Sequence, residues 1–205
     1  MYRYAKRLID ILVSFVGIVV LALPMIIIAI VIKCDSKGPA LFKQKRLGID
    51  KTSFTILKFR TMCNHAYEQG GIATSESDSR ITKVGKFLRK TSLDELPQLI
   101  NILIGQMSII GPRPILDWEY YDNASEEYES RFNVRPGMFC TVDLYLRATA
   151  TRDQQFCMDV EYVENMNLIT DIRVFFGIIK IVISGKNVYK ESAIENKVDL
   201  EEVKK

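Results

Sequence analysis

Residues Thr91 to Leu99 read TSLDELPQL and follow directly on Arg89 and Lys90. Two adjacent carboxylates, Asp94 and Glu95, set behind cations suit phosphate chemistry. An aspartate ionised at neutral pH can attack phosphorus, and nearby cations offset the charge it must approach. The same residues also read as a helix start, since Ser92 and Glu95 match a Ser-x-x-Glu capping box and acids in a first turn complement the helix dipole. A second candidate is Arg113 in SIIGPRPI, residues 108 to 115, where Pro112 and Pro114 hold the arginine extended. A planar fork stiffened in this way can meet a phosphate with little entropy to lose, although a structural turn with a surface arginine has the same pattern.

The remaining composition excludes several chemistries. The four cysteines, Cys34, Cys63, Cys140 and Cys157, form no Cys-x-x-Cys pair, so neither a zinc site nor a disulfide framework is expected, and a reduced compartment fits. His65 is the only histidine, which leaves little room for Ser-His or Cys-His catalysis. No Gly-x-Gly-x-x-Gly or Walker loop occurs. The net charge of +3 is uninformative, but Arg80, Lys83, Lys86, Arg89 and Lys90 form a run of five cations without an acid. Such a run suits phosphates or anionic head groups, although a solvated helix face is the more frequent reason for one.

Positioning these groups requires elements around them. From Ile11 to Ile32 the chain is apolar apart from Ser14, and its 22 residues at about 1.5 Å each would cross a hydrocarbon core of about 30 Å. The run is too long for a cleaved signal peptide, and no small-x-small site follows it. Pro24 allows two topologies: a kinked span, or a re-entrant hairpin that breaks at Leu23-Pro24 and returns both ends to the cytoplasm. Cations flank both ends, Arg3, Lys6 and Arg7 before and Lys33, Lys37, Lys43, Lys45 and Arg46 after, which leans toward the hairpin.

Beyond Gly38-Pro39, ALFKQKRLG and SFTILKFRTM alternate around the turn-like IDKT, which predicts a hairpin with Phe54, Ile56 and Lys58 on one face and Thr55, Leu57 and Phe59 on the other. Residues 64 to 79 read as a polar loop. A helix is expected through VGKFLRK and another from Ser92, burying Leu96, Leu99, Ile100 and Leu103 and stopping by Gly105. A charged helix around residues 117 to 131 precedes a constrained turn at Arg135-Pro136-Gly137. Residues 167 to 183 form an apolar helix interrupted by Asp171, Arg173 and Lys180, either core or interfacial. At 205 residues the chain suits one domain. The fold class expected is α+β, mostly helical with a small β-hairpin, in three parts: a re-entrant membrane helix (1–36), a catalytic domain (37–185) and a charged tail (186–205).

Together FKQKRLG, LKFRTM, RKTSLDELPQLINIL, IGPRP and RPG, behind one proline-broken apolar segment, resemble the bacterial sugar transferases. These are monotopic phosphoglycosyl transferases that load a sugar phosphate onto undecaprenyl phosphate. The resemblance runs from about residue 4 to 185. It implies a bacterial inner-membrane enzyme facing the cytoplasm that takes a UDP-sugar and polyprenyl phosphate, releases UMP and requires magnesium, as a first membrane step of surface glycan synthesis. Nucleic acid is not an expected partner. By resemblance Asp94 and Glu95 are catalytic; Lys58, Arg60, Arg89, Arg113 and Arg147 bind phosphate; Asp94, Glu95 and Asp159 hold the metal; and the hairpin topology is favoured, with Leu23-Pro24 as its hinge. The sequence departs from the family in having Leu23 where a serine is usual, and in reading MFCTVDLYLRAT after Arg-Pro-Gly without the usual tryptophan and second glycine.

The chemistry this implies is a two-step transfer in which Asp94 attacks the sugar-linked phosphate and the lipid phosphate then attacks the covalent intermediate. A membrane-anchored adaptor of a polysaccharide assembly complex is the alternative without catalysis. A transferase of the alcohol phosphatidyl type lacks support, because its spaced aspartates are missing. The identity of the sugar, the glycan pathway and the choice between monomer and homodimer are not encoded in any residue pattern.

Overall fold

The computed structural model describes residues 2–66, 78–122, 125–146 and 150–184. Most of the expected polar loop, Arg147 and the charged tail lie outside the described residues.

Helix α1 (Tyr2–Asp35) is a single element that continues through Pro24, where the sequence predicts a break into two arms. Proline removes one N–H from the ladder but leaves the turns on either side intact. One face of α1 rests on the rest of the molecule along its length. Lys6, Asp10, Ser14 and Ile32 are buried, Gly17 lies against Leu99, and Ile18, Leu21, Met25 and Ile28 pack on two hydrophobic clusters. The other face leaves Leu8, Leu12, Phe15, Val19, Leu23, Ile26 and Ile30 exposed, far more contiguous apolar surface than a soluble monomer shows.

Both ends of α1 are fastened to the same body. Near its start, Lys6 Nζ meets Asp171 Oδ2 at 2.5 Å, Arg7 donates to the carbonyls of Ile102 and Leu103 at 2.7 and 2.9 Å, and Asp10 Oδ1 accepts from the Ile109 N–H at 3.0 Å. At its end, Arg60 donates to the carbonyls of Lys37 and Ser36 at 2.6 and 2.7 Å.

The expected hairpin is formed by β1 (Leu41–Leu47) and β2 (Ser53–Phe59), antiparallel from Leu41↔Phe59 to Leu47↔Ser53. Phe54 and Ile56 enter the main core with Leu99, Ile102 and Met107, while Phe59 on the opposite face joins Ile32 and Leu88. Helix α2 (Lys83–Thr91) is capped at its start by Thr82, whose hydroxyl accepts from the Gly85 N–H. Helix α3 (Gln98–Leu103) begins after Pro97, and Gly105, at φ 89°, follows it. Its buried face is Gln98, Leu99, Asn101 and Ile102, whereas Ile100 is exposed, so the predicted stripe is rotated. The cause is Asn101. Its side chain accepts from Leu57 N–H at 3.0 Å and donates to Thr55 O at 2.7 Å, which satisfies the open edge of β2 and turns this face inward.

A short parallel pair, β3 (Ser108–Ile110) with β4 (Gly137–Phe139), escapes sequence reasoning. It brings the Pro-Arg-Pro and Arg-Pro-Gly turns side by side, with Gly137 N–H donating to Pro112 O at 2.8 Å. A Cβ on Gly111 would stand 2.5 Å from the Arg135 carbonyl oxygen, so only glycine allows the approach. The expected charged helix is a short α4 (Asp117–Tyr121) followed by a 3-10 helix over Glu126–Asn133. After α5 (Thr141–Tyr145) come α6 (Arg152–Glu164) and α7 (Leu168–Ser184). Helix α7, the apolar helix expected there, buries Asp171, Val174 and Ile178 and exposes Leu168, Ile169, Ile172, Phe176 and Ile183. Among the described residues the result is a mixture of helices and two small sheets carrying one long apolar helix.

Candidate active site

The Asp-Glu pair sits on a 3-10 turn, Leu93–Glu95, between α2 and α3. Ser92 has φ 55° and ends α2, its N–H returning to the Arg89 carbonyl, and its side chain caps nothing. The capping box predicted from Ser92 and Glu95 is therefore not formed. Ser92 closes α2 in the left-handed conformation, and although its carbonyl accepts from the Glu95 N–H at 3.2 Å, its hydroxyl makes no cap to the turn ahead. Glu95 is released from that duty and pairs with Lys58 Nζ at 2.7 Å, from the end of β2.

Asp94 is half-buried beside Glu95. Loss of water and the neighbouring carboxylate push its carboxyl up to about 6, against the pull of Lys58 and Arg89. At neutral pH it is still mainly ionised, and it is a stronger base than a solvated aspartate. Arg89 lies across from β2 with its Nε donating to Thr61 Oγ1 at 2.9 Å.

Arg113 reaches the same neighbourhood from the turn after β3. Its guanidinium is ion-paired with Asp143 of α5, and Asp143 first, with Glu95 and Asp159 contributing, raises its pKa. Lys58 contacts Glu95, Lys58 and Arg89 act electrostatically on Asp94, and Arg113 acts on Glu95, so these five charges share one neighbourhood. Arg60 is elsewhere: its guanidinium is buried and committed to the end of α1. Asp159 does not join the other carboxylates either, because it is fully buried and hydrogen-bonded to Arg131 and to the Arg113 N–H. Neither Asp143 nor Arg131 carries a signal in the sequence; their partners lie 30 and 28 residues away, with no periodicity linking them.

Among the described residues no group of three or more His, Cys, Asp or Glu side chains is arranged to hold a metal. A magnesium ion shared with a diphosphate does not need one, since it takes most of its oxygens from phosphate and water and only one or two carboxylates from protein. Asp94 and Glu95 fit that requirement.

The chain is a transferase: it matches the family described as bacterial sugar transferase over residues 1–185, and it belongs to that family. It is 38% identical over 183 residues to the exopolysaccharide production protein PSS of Rhizobium leguminosarum bv. phaseoli, covering 84% of this chain and 92% of that protein. It is 35% identical over 193 residues to the UDP-glucose:undecaprenyl-phosphate glucose-1-phosphate transferase of Caulobacter vibrioides, covering 90% and 72%. The UDP-N-acetylgalactosamine-undecaprenyl-phosphate N-acetylgalactosaminephosphotransferase of Aeromonas hydrophila is 35% identical over 189 residues, 90% of this chain but 45% of that longer protein.

Proposed function

We propose that this protein transfers a phosphosugar from a UDP-sugar to undecaprenyl phosphate, at the cytoplasmic face of the inner membrane, as a first membrane step of surface glycan synthesis. The observation that carries the reading is the 3-10 turn that presents Asp94 beside Glu95 and within electrostatic reach of Lys58 and Arg89, with Arg113 in reach of Glu95. A carboxylate oxygen of Asp94 attacks the phosphorus bearing the sugar. The bond from that phosphorus to the UMP oxygen breaks, and UMP leaves with the electron pair. An oxygen of undecaprenyl phosphate then attacks the phosphorus of the aspartyl-phosphosugar, and the Asp94 carboxylate is restored. Arg113 and Arg89 hold phosphate oxygens, while Lys58 keeps Glu95 oriented. Asp94 and Glu95 would hold magnesium, which when bound supplies charge neutralisation on the diphosphate.

The membrane topology we infer is re-entrant. A helix of 34 residues is about 50 Å long and would carry its ends to opposite sides if it ran straight through a bilayer. Here Lys6 and Arg7 at one end and the Ser36 and Lys37 carbonyls at the other bind a single body that packs on α1 along its length. A straight span would draw that polar body into the bilayer, and a bend at Pro24 keeps it on one side. The exposed apolar face of α1 then lies in lipid and holds the site level with the lipid phosphate.

The test is incubation of the purified protein with magnesium and each of a panel of UDP-sugars, labelled in the sugar-linked phosphate, without lipid. The expected result is label on Asp94 and release of UMP, with label discharged by undecaprenyl phosphate. An unlabelled wild type that releases no UMP from any UDP-sugar would point to the adaptor instead.

A further inference from the structure

The Pro112-Arg113-Pro114 turn has a single backbone N–H to offer, because both neighbours of Arg113 are prolines. That N–H donates to Asp159 Oδ1 at 3.1 Å, and the Arg113 carbonyl accepts from Arg131 Nη2 at 2.8 Å. The same Nη2 donates to Asp159 Oδ2 at 2.6 Å. One ion pair therefore grips both polar backbone groups of one residue, with Arg131 reaching in from the 3-10 helix and Asp159 from the middle of α6.

The pair is sealed. The side chains of Arg131 and Asp159 are 2% and 0% exposed, and the guanidinium lies 5.1 and 4.7 Å from the ring centroids of Phe132 and Phe156. Burying two charges is costly, and apolar residues usually fill such space at least as stably. What apolar residues cannot do is offer an acceptor to the N–H and a donor to the carbonyl of one residue at a fixed spacing. A lysine cannot do it as well, since its ammonium is a point charge without the planar fork. The Arg113 side chain held in this way is 46% exposed and within electrostatic reach of Glu95.

We propose that Arg131 is a positioning residue for the transfer reaction: with Asp159 it clamps the Arg113 backbone, so that the exposed guanidinium is aimed at the diphosphate before substrate arrives. The proposal rests on the phosphate-binding role given to Arg113 above. Asp159 then serves the site from behind the turn.

The experiment uses the full chain in lipid nanodiscs, undecaprenyl phosphate, and whichever of UDP-glucose, UDP-galactose and their N-acetylamino forms the wild type turns over fastest. UMP release is measured for Arg131→Lys, Asp159→Asn and Arg113→Ala, and for the first two combined with Arg113→Ala, alongside thermal melts. The expected result is a loss of kcat/KM on the order of 10²-fold in Arg131→Lys, as for other losses of reactant alignment, with no further loss when Arg113→Ala is already present. An equal fold-loss in both backgrounds, or an unchanged kcat/KM, overturns the proposal while leaving the role of Arg113 intact. A wild-type kcat/KM for Arg113→Ala alone overturns that role and the proposal with it. Should Arg131→Lys not fold, Asp159→Asn carries the same cycle, because an amide nitrogen in place of Oδ2 cannot accept from Arg131 and so frees that side of the clamp. Failure of both to fold overturns the proposal in favour of a structural pair.

Discussion

Lys58–Glu95 and Arg131–Asp159 are both cation–carboxylate pairs beside the same patch, and they are built oppositely. The first has side chains 27% and 28% exposed and joins the end of a strand to a 3-10 turn. The second is cut off from water and tied to the backbone. Water access decides what each can do. A partly solvated pair exchanges partners at little cost, which suits groups that must admit a diphosphate. A dry pair cannot be separated without leaving a bare charge, which suits a fixture.

The largest effect expected is at the exposed end of this comparison. Asp94→Asn should lower kcat by roughly 10³-fold or more and abolish labelling, as removal of a nucleophile does, and the UMP-release assay checks it. At the sealed end, Arg131→Met should lower stability by about 3–5 kcal/mol by stranding Asp159, whereas Lys58→Met should lower it by about 1 kcal/mol or less; thermal melts in one detergent compare the two. Equal losses would erase the distinction.

A third effect concerns proton binding. The Asp94 carboxyl, at about 6, lies above its unfolded value of 3.8. The folded state thus holds that proton more tightly, so its contribution to stability is full below about pH 4 and is lost as pH rises through about 6. Activity runs the other way, rising through about pH 6 as the nucleophile ionises. Glu95→Gln should shift this acid limb of kcat/KM to lower pH by removing a like charge, read from a pH profile of UMP release. The smallest effect is at Ser92. Its φ of 55° and idle side chain predict that Ser92→Gly stabilises the fold by about 0.5–1 kcal/mol, while Ser92→Ala lacks the loss of about 1 kcal/mol that a true cap would show.

Much of the scaffold was legible. The alternation of ALFKQKRLG and SFTILKFRTM predicts the hairpin and its turn, since period-two patterning follows from strand geometry. The helices through VGKFLRK and residues 167 to 183 follow from their spacing. The start at Ser92 misled because Ser-x-x-Glu is a local pattern, and the left-handed Ser92 belongs to the helix before it. Ile100 misled because hydrophobicity does not reveal that Asn101 closes a strand edge and so takes the inward face. The β3–β4 pair, three residues each, is too short to show a period.

By itself the sequence determined the apolar length of α1, the adjacent carboxylates behind cations, and the stiffness of an arginine between prolines, because these depend on side-chain chemistry and on φ and ψ within a few residues. Only the tertiary structure decided which groups meet: Glu95 with Lys58, Arg113 with Asp143, Arg131 with Asp159, and both ends of α1 with one body. Those pairings span 23 to 165 residues of chain. Contacts at such distances arise from how elements pack, and no local preference of the backbone encodes them.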